Sequence, residues 1–210
     1  MTNNISFEKK KIIVFDLDGT IVHLDTNWHH LKMILSKRYA KLYEGEKCEF
    51  EHISACLSHV VKKNDEIELS NFFDMILDYE MKNIRNNEEI EESIFFINHL
   101  ELFGIKKETK LAILSLNMRE TILITLKLAN LTQRFDLIIG REDVRAWKPN
   151  PFGLLEIQKQ FNVKKKEMIF FGDTETDLKT GNNAGIEVHL VKELINLVKS
   201  KKQKKGSFIR

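Results

Sequence analysis

The chain has 210 residues, 42% of them hydrophobic, enough to bury an α/β core with one inserted module and too patterned for a disordered or membrane-embedded chain. Its 33 basic and 31 acidic side chains leave a formal charge of +2, so no field suited to nucleic acid or an acidic membrane is expected from its body. The first eight residues lack the apolar centre of a secretion signal, and no run approaches the roughly 20 apolar residues that span a bilayer, so the expected location is the cytoplasm.

Residues 11–15 form an apolar run that reads as a buried strand, and it ends on Asp16, Leu17, Asp18, Gly19 and Thr20. Two carboxylates one residue apart at a strand end are costly for a core unless they hold a cation or do chemistry in the crevice beyond the sheet. Residues 25–86 then carry apolar positions at helical spacing, among them Leu31, Leu35, Leu57, Val60, Phe72, Phe73 and Ile76, which predicts three or four helices. Asp25 or Thr26 is the expected cap of the first of them, ahead of Trp28. Cys48 and Cys56, eight residues apart in this stretch, make neither a metal pattern nor a disulfide framework and are expected to be free thiols.

Downstream the pattern alternates in the α/β manner. It predicts a helix over 88–103, a strand over 110–115, a helix over 119–130, a strand over 136–140 and a helix over 151–161 that starts near Pro151. A strand over 168–172, a helix over 176–183 stopped by Gly185 and a last strand over 187–191 follow. The expected architecture is one doubly wound, Rossmann-like parallel sheet of five strands, with core segments 1–24 and 87–210 and a helical cap inserted over 25–86. Residues 199–210 are basic and read as a solvated, fraying end.

Three further polar signals fall at strand ends: Ser115 after one apolar run, Lys148 before the turn Pro149, Asn150, Pro151, and Asp173 with Asp177 four residues on after another. The four signals in this order resemble the haloacid dehalogenase superfamily, and the helical insert after the first strand is similar to that of phosphoglycolate-phosphatase-like members. The resemblance implies a Mg²⁺-dependent phosphatase acting on a small phosphomonoester. In that scheme Asp16 is the nucleophile that becomes an aspartyl-phosphate, Asp18 the general acid and base, and Lys148 the charge-compensating cation. Thr20, Ser115, Leu116 and Asn117 are the implied substrate contacts, with Thr20 orienting Asp18. Asp16, the Asp18 carbonyl, Asp173 and Asp177 are the implied metal shell.

Asp18 separates subclasses, since dehalogenating and phosphonate-cleaving relatives lack an acidic residue there. Two departures stand out. His23 and Leu24 occupy the positions where many such phosphatases have Asp-Ser, and Leu116 replaces the usual Asn, with Asn117 one place later, so backbone contacts to phosphate are expected from that loop. A phosphotransferase or sugar-phosphate mutase of the same superfamily, and a non-catalytic binding protein that keeps the fold, are the alternative readings. His23 is a candidate substrate-facing group, and Arg141 and Arg145 are candidates for a second anionic group. Trp28 and Trp147 are expected between cap and core, and Phe95 and Phe96 in the core.

Overall fold

The computed structural model describes residues 5–206 apart from 45, 47, 49 and 51, and leaves out the side chains of 204–206. Strand β1 (Ile12–Phe15) is buried along its whole length and is followed by the two-residue β2 (Val22–His23). Three helices come next, α1 (Trp28–Leu42), α2 (Ile53–Lys62) and α3 (Glu66–Met81), before the chain returns through β3 (Glu88–Glu89). The rest alternates: α4 (Glu91–Asn98), β4 (Lys110–Leu114), α5 (Arg119–Leu128), β5 (Leu137–Ile139), α6 (Phe152–Phe161), β6 (Met168–Gly172), α7 (Glu175–Ala184), β7 (Glu187–Leu190) and α8 (Val191–Gly206).

The main sheet has five parallel strands in the order β5-β4-β1-β6-β7, so the fold is the expected α/β doubly wound type. The chain winds outward from β1 in both directions, which places the crevice of such a sheet at the carboxyl end of β1. Alternate residues of the central strands feed two cores. Ile13, Phe15, Ile113, Ile169 and Phe171 pack with Phe96 of α4, Ile122 of α5 and Leu194 of α8. Val14, Ala112 and Phe170 join Leu154 and Ile157 of α6 in a core continuous with the buried faces of α1, α2 and α3. The insert is therefore seated on one face of the sheet through shared apolar packing, with Phe50 edge-on to Tyr39 and tilted against Phe72 at centroid distances of 5.9 and 5.5 Å.

Several local expectations need correction. Helix α1 is capped by Asn27, whose side chain accepts from the His30 N–H, and not by Asp25 or Thr26. The single helix expected over 88–103 is broken, because Glu88 and Glu89 pair antiparallel with His23 and Val22 and because the stretch after Asn98 tightens into a 3₁₀ turn, Leu100–Phe103, ending at left-handed Gly104. Cys48 and Cys56 are joined as a disulfide, their Cα atoms 5.8 Å apart. The chain reverses through Phe50, at φ 52°, and brings Cys48 back against the first turn of α2, a proximity that linear spacing does not show. Residues 199–206 belong to α8, which packs Leu194 and Val198 onto the sheet at helical spacing, while 207–210 lie outside the described residues. No helix among the described residues is long and apolar enough to cross a membrane.

Candidate active site

Asp16 is the first residue beyond β1, and its N–H still donates to Phe171 of β6, so the sheet ladder fixes where its side chain emerges. Its Oδ1 accepts from the Leu17 N–H at 2.8 Å, and its Oδ2 lies 2.8 Å from Lys148 Nζ. Lys148 reaches in from the loop after β5 and is shared with Asp177 Oδ1 at 2.6 Å. Asp177 is the third residue of α7, where it closes a capping box: Thr174 donates to Asp177 Oδ2 from its N–H at 3.1 Å and its hydroxyl at 2.7 Å. Asp173 stands at the mouth of the same cluster, and carboxylate oxygens of Asp16, Asp173 and Asp177 lie within 4.8 Å of one another.

Two glycines permit this crowding. Gly19 adopts φ 73°, and a Cβ there would run into the Asp173 carboxylate. A Cβ on Gly172 would meet the Asp177 carboxyl group.

The electrostatics follow from burial. Burial pushes the Asp16 carboxyl up to about 7, against the opposing pull of Lys148 and with Asp177 adding to the rise. Burial would raise Asp177 too, but the Lys148 charge and the donors from Lys148 and Thr174 hold it below the usual carboxylate range. Burial disfavours the Lys148 ammonium, yet Asp16 and Asp177 overcome that and raise its pKa. Asp18, half-buried beside the cluster, is raised by burial despite accepting from the Leu24 N–H at 2.9 Å. Three carboxylates against one ammonium leave surplus negative charge on an all-oxygen donor set. That set fits a hard divalent cation such as Mg²⁺.

Ser115, Leu116 and Asn117 line the same crevice, a cavity of about 240 Å³ with Asp16, Asp18, Trp28 and Lys148. The Asn117 amide is already engaged: its Oδ1 accepts from the Ser115 hydroxyl at 2.8 Å and its Nδ2 donates to Glu80 Oε1 at 3.1 Å. Thr20 is not brought to the crevice. It is fully buried, its hydroxyl finds no partner among the described residues, and Asp18 is held by Leu24 instead. Exposed His23 sits on β2, outside the lining, and Arg145 pairs with Glu66 at the surface. Trp147 packs edge-on against Phe73 of the insert, and Trp28 walls the crevice. Phe96 is fully buried and Phe95 packs partly buried beside it.

Sequence reasoning missed Glu80. It is fully buried on α3, and it ties the insert to the Ser115 loop through Asn117 and through the Met118 N–H at 2.9 Å. Its spacing offered a signal, because it lies four residues after Ile76 and seven after Phe73, on the apolar stripe.

Residues 13–191 match the haloacid dehalogenase-like hydrolase family. The chain belongs to that family and is an enzyme of its hydrolase type. Among its haloacid dehalogenase-like relatives, the pyrophosphatase PpaX of Halalkalibacterium halodurans is 28% identical over 184 residues, covering 85% of this chain and 82% of that protein. A Lactobacillus plantarum structure assigned as a phosphoglycolate phosphatase superposes with a TM-score of 0.60 at 16% identity, covering 91% of this chain and 89% of that one. CbbY of Rhodobacter sphaeroides, solved with phosphate, gives a TM-score of 0.60 at 14% identity over 86% and 85% of the two chains. At these identities the two structures speak for the fold alone.

Proposed function

We propose that this chain is a Mg²⁺-dependent phosphatase that hydrolyses a small phosphorylated metabolite through a phosphoryl group carried on Asp16. The observation that carries the reading is the convergence of Asp16, Lys148, Asp173 and Asp177 at the end of the central strands. The pyrophosphatase relatives add support for chemistry at phosphorus.

Asp16 Oδ attacks phosphorus as the bond to the leaving oxygen breaks. Asp18, which burial holds toward its neutral form, gives that oxygen its proton. In the second half Asp18 takes a proton from the water that attacks the phosphorus of the aspartyl-phosphate, releasing inorganic phosphate and restoring Asp16. Lys148 offsets charge on Asp16 and the transferring group throughout, and the Leu116 N–H receives a non-bridging oxygen, because the Ser115 N–H donates to the Ile139 carbonyl and the Asn117 N–H to the Ser115 hydroxyl. Asp16, Asp173, Asp177 and the Asp18 carbonyl would hold Mg²⁺, which when bound neutralises the phosphate and lowers the barrier to anionic attack.

Phosphate release from a panel of phosphomonoesters, with and without Mg²⁺, tests the reading against Asp16→Asn. Metal-dependent release that disappears in the variant is the expected result. Transfer to an added alcohol without net hydrolysis would turn the assignment to a phosphotransferase, and no reaction at all to a binding protein.

A further inference from the structure

The catalytic cavity opens toward the insert into a second cavity of about 640 Å³, and Asp18, Trp28, Leu116, Arg141 and Lys148 line both. Among the described residues, the charged side chains around this second space are Lys32, Arg141, Lys148 and Lys179 against Asp18. Lys148 is committed to Asp16 and Asp177, and Lys179 is exposed.

Arg141 is different. Its residue is only 3% exposed, and its side chain makes one hydrogen bond among the described residues, from Nη1 to the Ser54 hydroxyl on α2 at 3.3 Å. Its Nε is shielded from solvent and has no partner among the described residues. A buried charge ordinarily finds a carboxylate. The two carboxylates near enough to affect Arg141 are Glu80 and Glu142, and both are engaged elsewhere. Glu80 accepts from Asn117 and Met118, and both Glu142 oxygens accept from the Arg119 N–H at 3.0 Å. Arg141 is nevertheless rigidly placed. Its N–H donates to the Asn117 carbonyl at 2.8 Å, and its own carbonyl accepts from Trp147 Nε1 at 2.7 Å. The preceding Gly140 allows this, because a Cβ there would strike the backbone of Arg119.

A fixed guanidinium with most of its five donors unused, beside the nucleophile and facing a cationic cavity, matches the planar oxygens of a carboxylate or phosphate. We infer that Arg141 determines specificity by binding a second anionic group on a substrate whose phosphoryl end lies at Asp16. The inference rests on the phosphatase reading for the location of that phosphoryl end.

The test compares phosphoglycolate and inorganic pyrophosphate, which carry a second anion, with ethyl phosphate, which carries none. With Mg²⁺, the native protein is expected to prefer at least one of the first two in kcat/KM by roughly 100-fold, the scale of a desolvated charge-assisted contact. Preference for phosphoglycolate identifies a carboxylate as the second group, and preference for pyrophosphate a phosphate. Arg141→Gln should cut the preference about 100-fold, mainly through KM, and Arg141→Lys should recover part of it. An unchanged ratio in folded Arg141→Gln overturns the inference, as does a native protein that does not distinguish the three compounds. Should Arg141→Gln fail to fold, Arg141→Lys decides: a ratio lowered about tenfold supports the inference, and an unchanged ratio overturns it.

Failure of the phosphatase reading would look different, as no phosphate release from any ester. Calorimetric titration of Asp16→Asn, with and without Arg141→Gln, then decides the inference by binding alone. Tighter binding of the doubly anionic compounds that is lost with Arg141 supports it, and equal binding of all three overturns it.

Discussion

At the Asp16 end of the crevice Lys148 lies between Asp16 and Asp177, whereas at the insert-facing end Arg141 is as deeply buried with no ion-pair carboxylate among the described residues. The first cation is held by two partners that its own charge keeps from repelling each other. Among the described residues, the second is hydrogen-bonded only through its backbone and to one serine hydroxyl. Burial thus has two meanings in one cavity: a paired charge that organises the protein's own groups, and an unpaired one left with donors to offer.

The largest effect should come from the proposed nucleophile. Asp16→Asn should reduce phosphate release by about 10⁴-fold or more while the protein stays folded, since an amide cannot form the acyl phosphate. Residual turnover near a tenth of native would remove Asp16 from that role.

Exchanging the two cations for methionine breaks the comparison directly. Lys148→Met strands Asp16 and Asp177 against each other and should cost about 3–5 kcal/mol in urea denaturation, part of it recovered by added Mg²⁺. Arg141→Met breaks no ion pair among the described residues, and because the nearby Glu80 can take up a proton when that charge is lost, it should cost less than about 1 kcal/mol. Equal losses would mean that both cations serve the same structural purpose. At the mouth of the site, Asp173→Asn should raise the Mg²⁺ concentration for half-maximal activity roughly tenfold, because the charge on the ligand set tunes cation affinity. An unchanged metal titration would assign the cation to other residues.

Glu80 supplies a test that is read in pH. Burial, only partly offset by Arg141 and by donors from the Ser115 loop, pushes its carboxyl from 4.5 up to about 7. Between those values the native chain keeps a proton that the unfolded chain has lost. The corresponding stability is therefore full below about pH 4.5 and disappears as pH rises through about 7. Asp16 adds a slope of the same sign, so urea midpoints are best compared in saturating Mg²⁺. Glu80→Gln should flatten the profile over this window, and an unaltered slope would exonerate Glu80.

Most of the sheet and the crowded carboxylates were legible because each lies at the end of a short apolar run, where local sequence marks both the strand and its polar terminus. Asp16, Ser115 and Asp173 are readable in this way. What escaped depends on partners far along the chain. Glu80 is one acidic residue on an apolar stripe until Met118 and Asn117 are placed beside it. The β2–β3 pairing joins residues more than sixty positions apart, and the Cys48–Cys56 link depends on a reversal at Phe50. Thr20 differs for the opposite reason: a motif position suggested a polar role beside Asp18, and the turn after Asp18 buries its hydroxyl without a partner among the described residues.

The short ribbon of β2 and β3 has a consequence for how such an enzyme can diversify. The helical insert begins and ends at strands paired Val22 to Glu89 and His23 to Glu88, so its two junctions are neighbours in space. A segment of different length or sequence can be spliced between adjacent junctions without altering the connectivity of the five parallel strands. The carboxylate cluster and Arg141 stay with the scaffold, while the walls that the insert adds to the second cavity are exchangeable as a cassette.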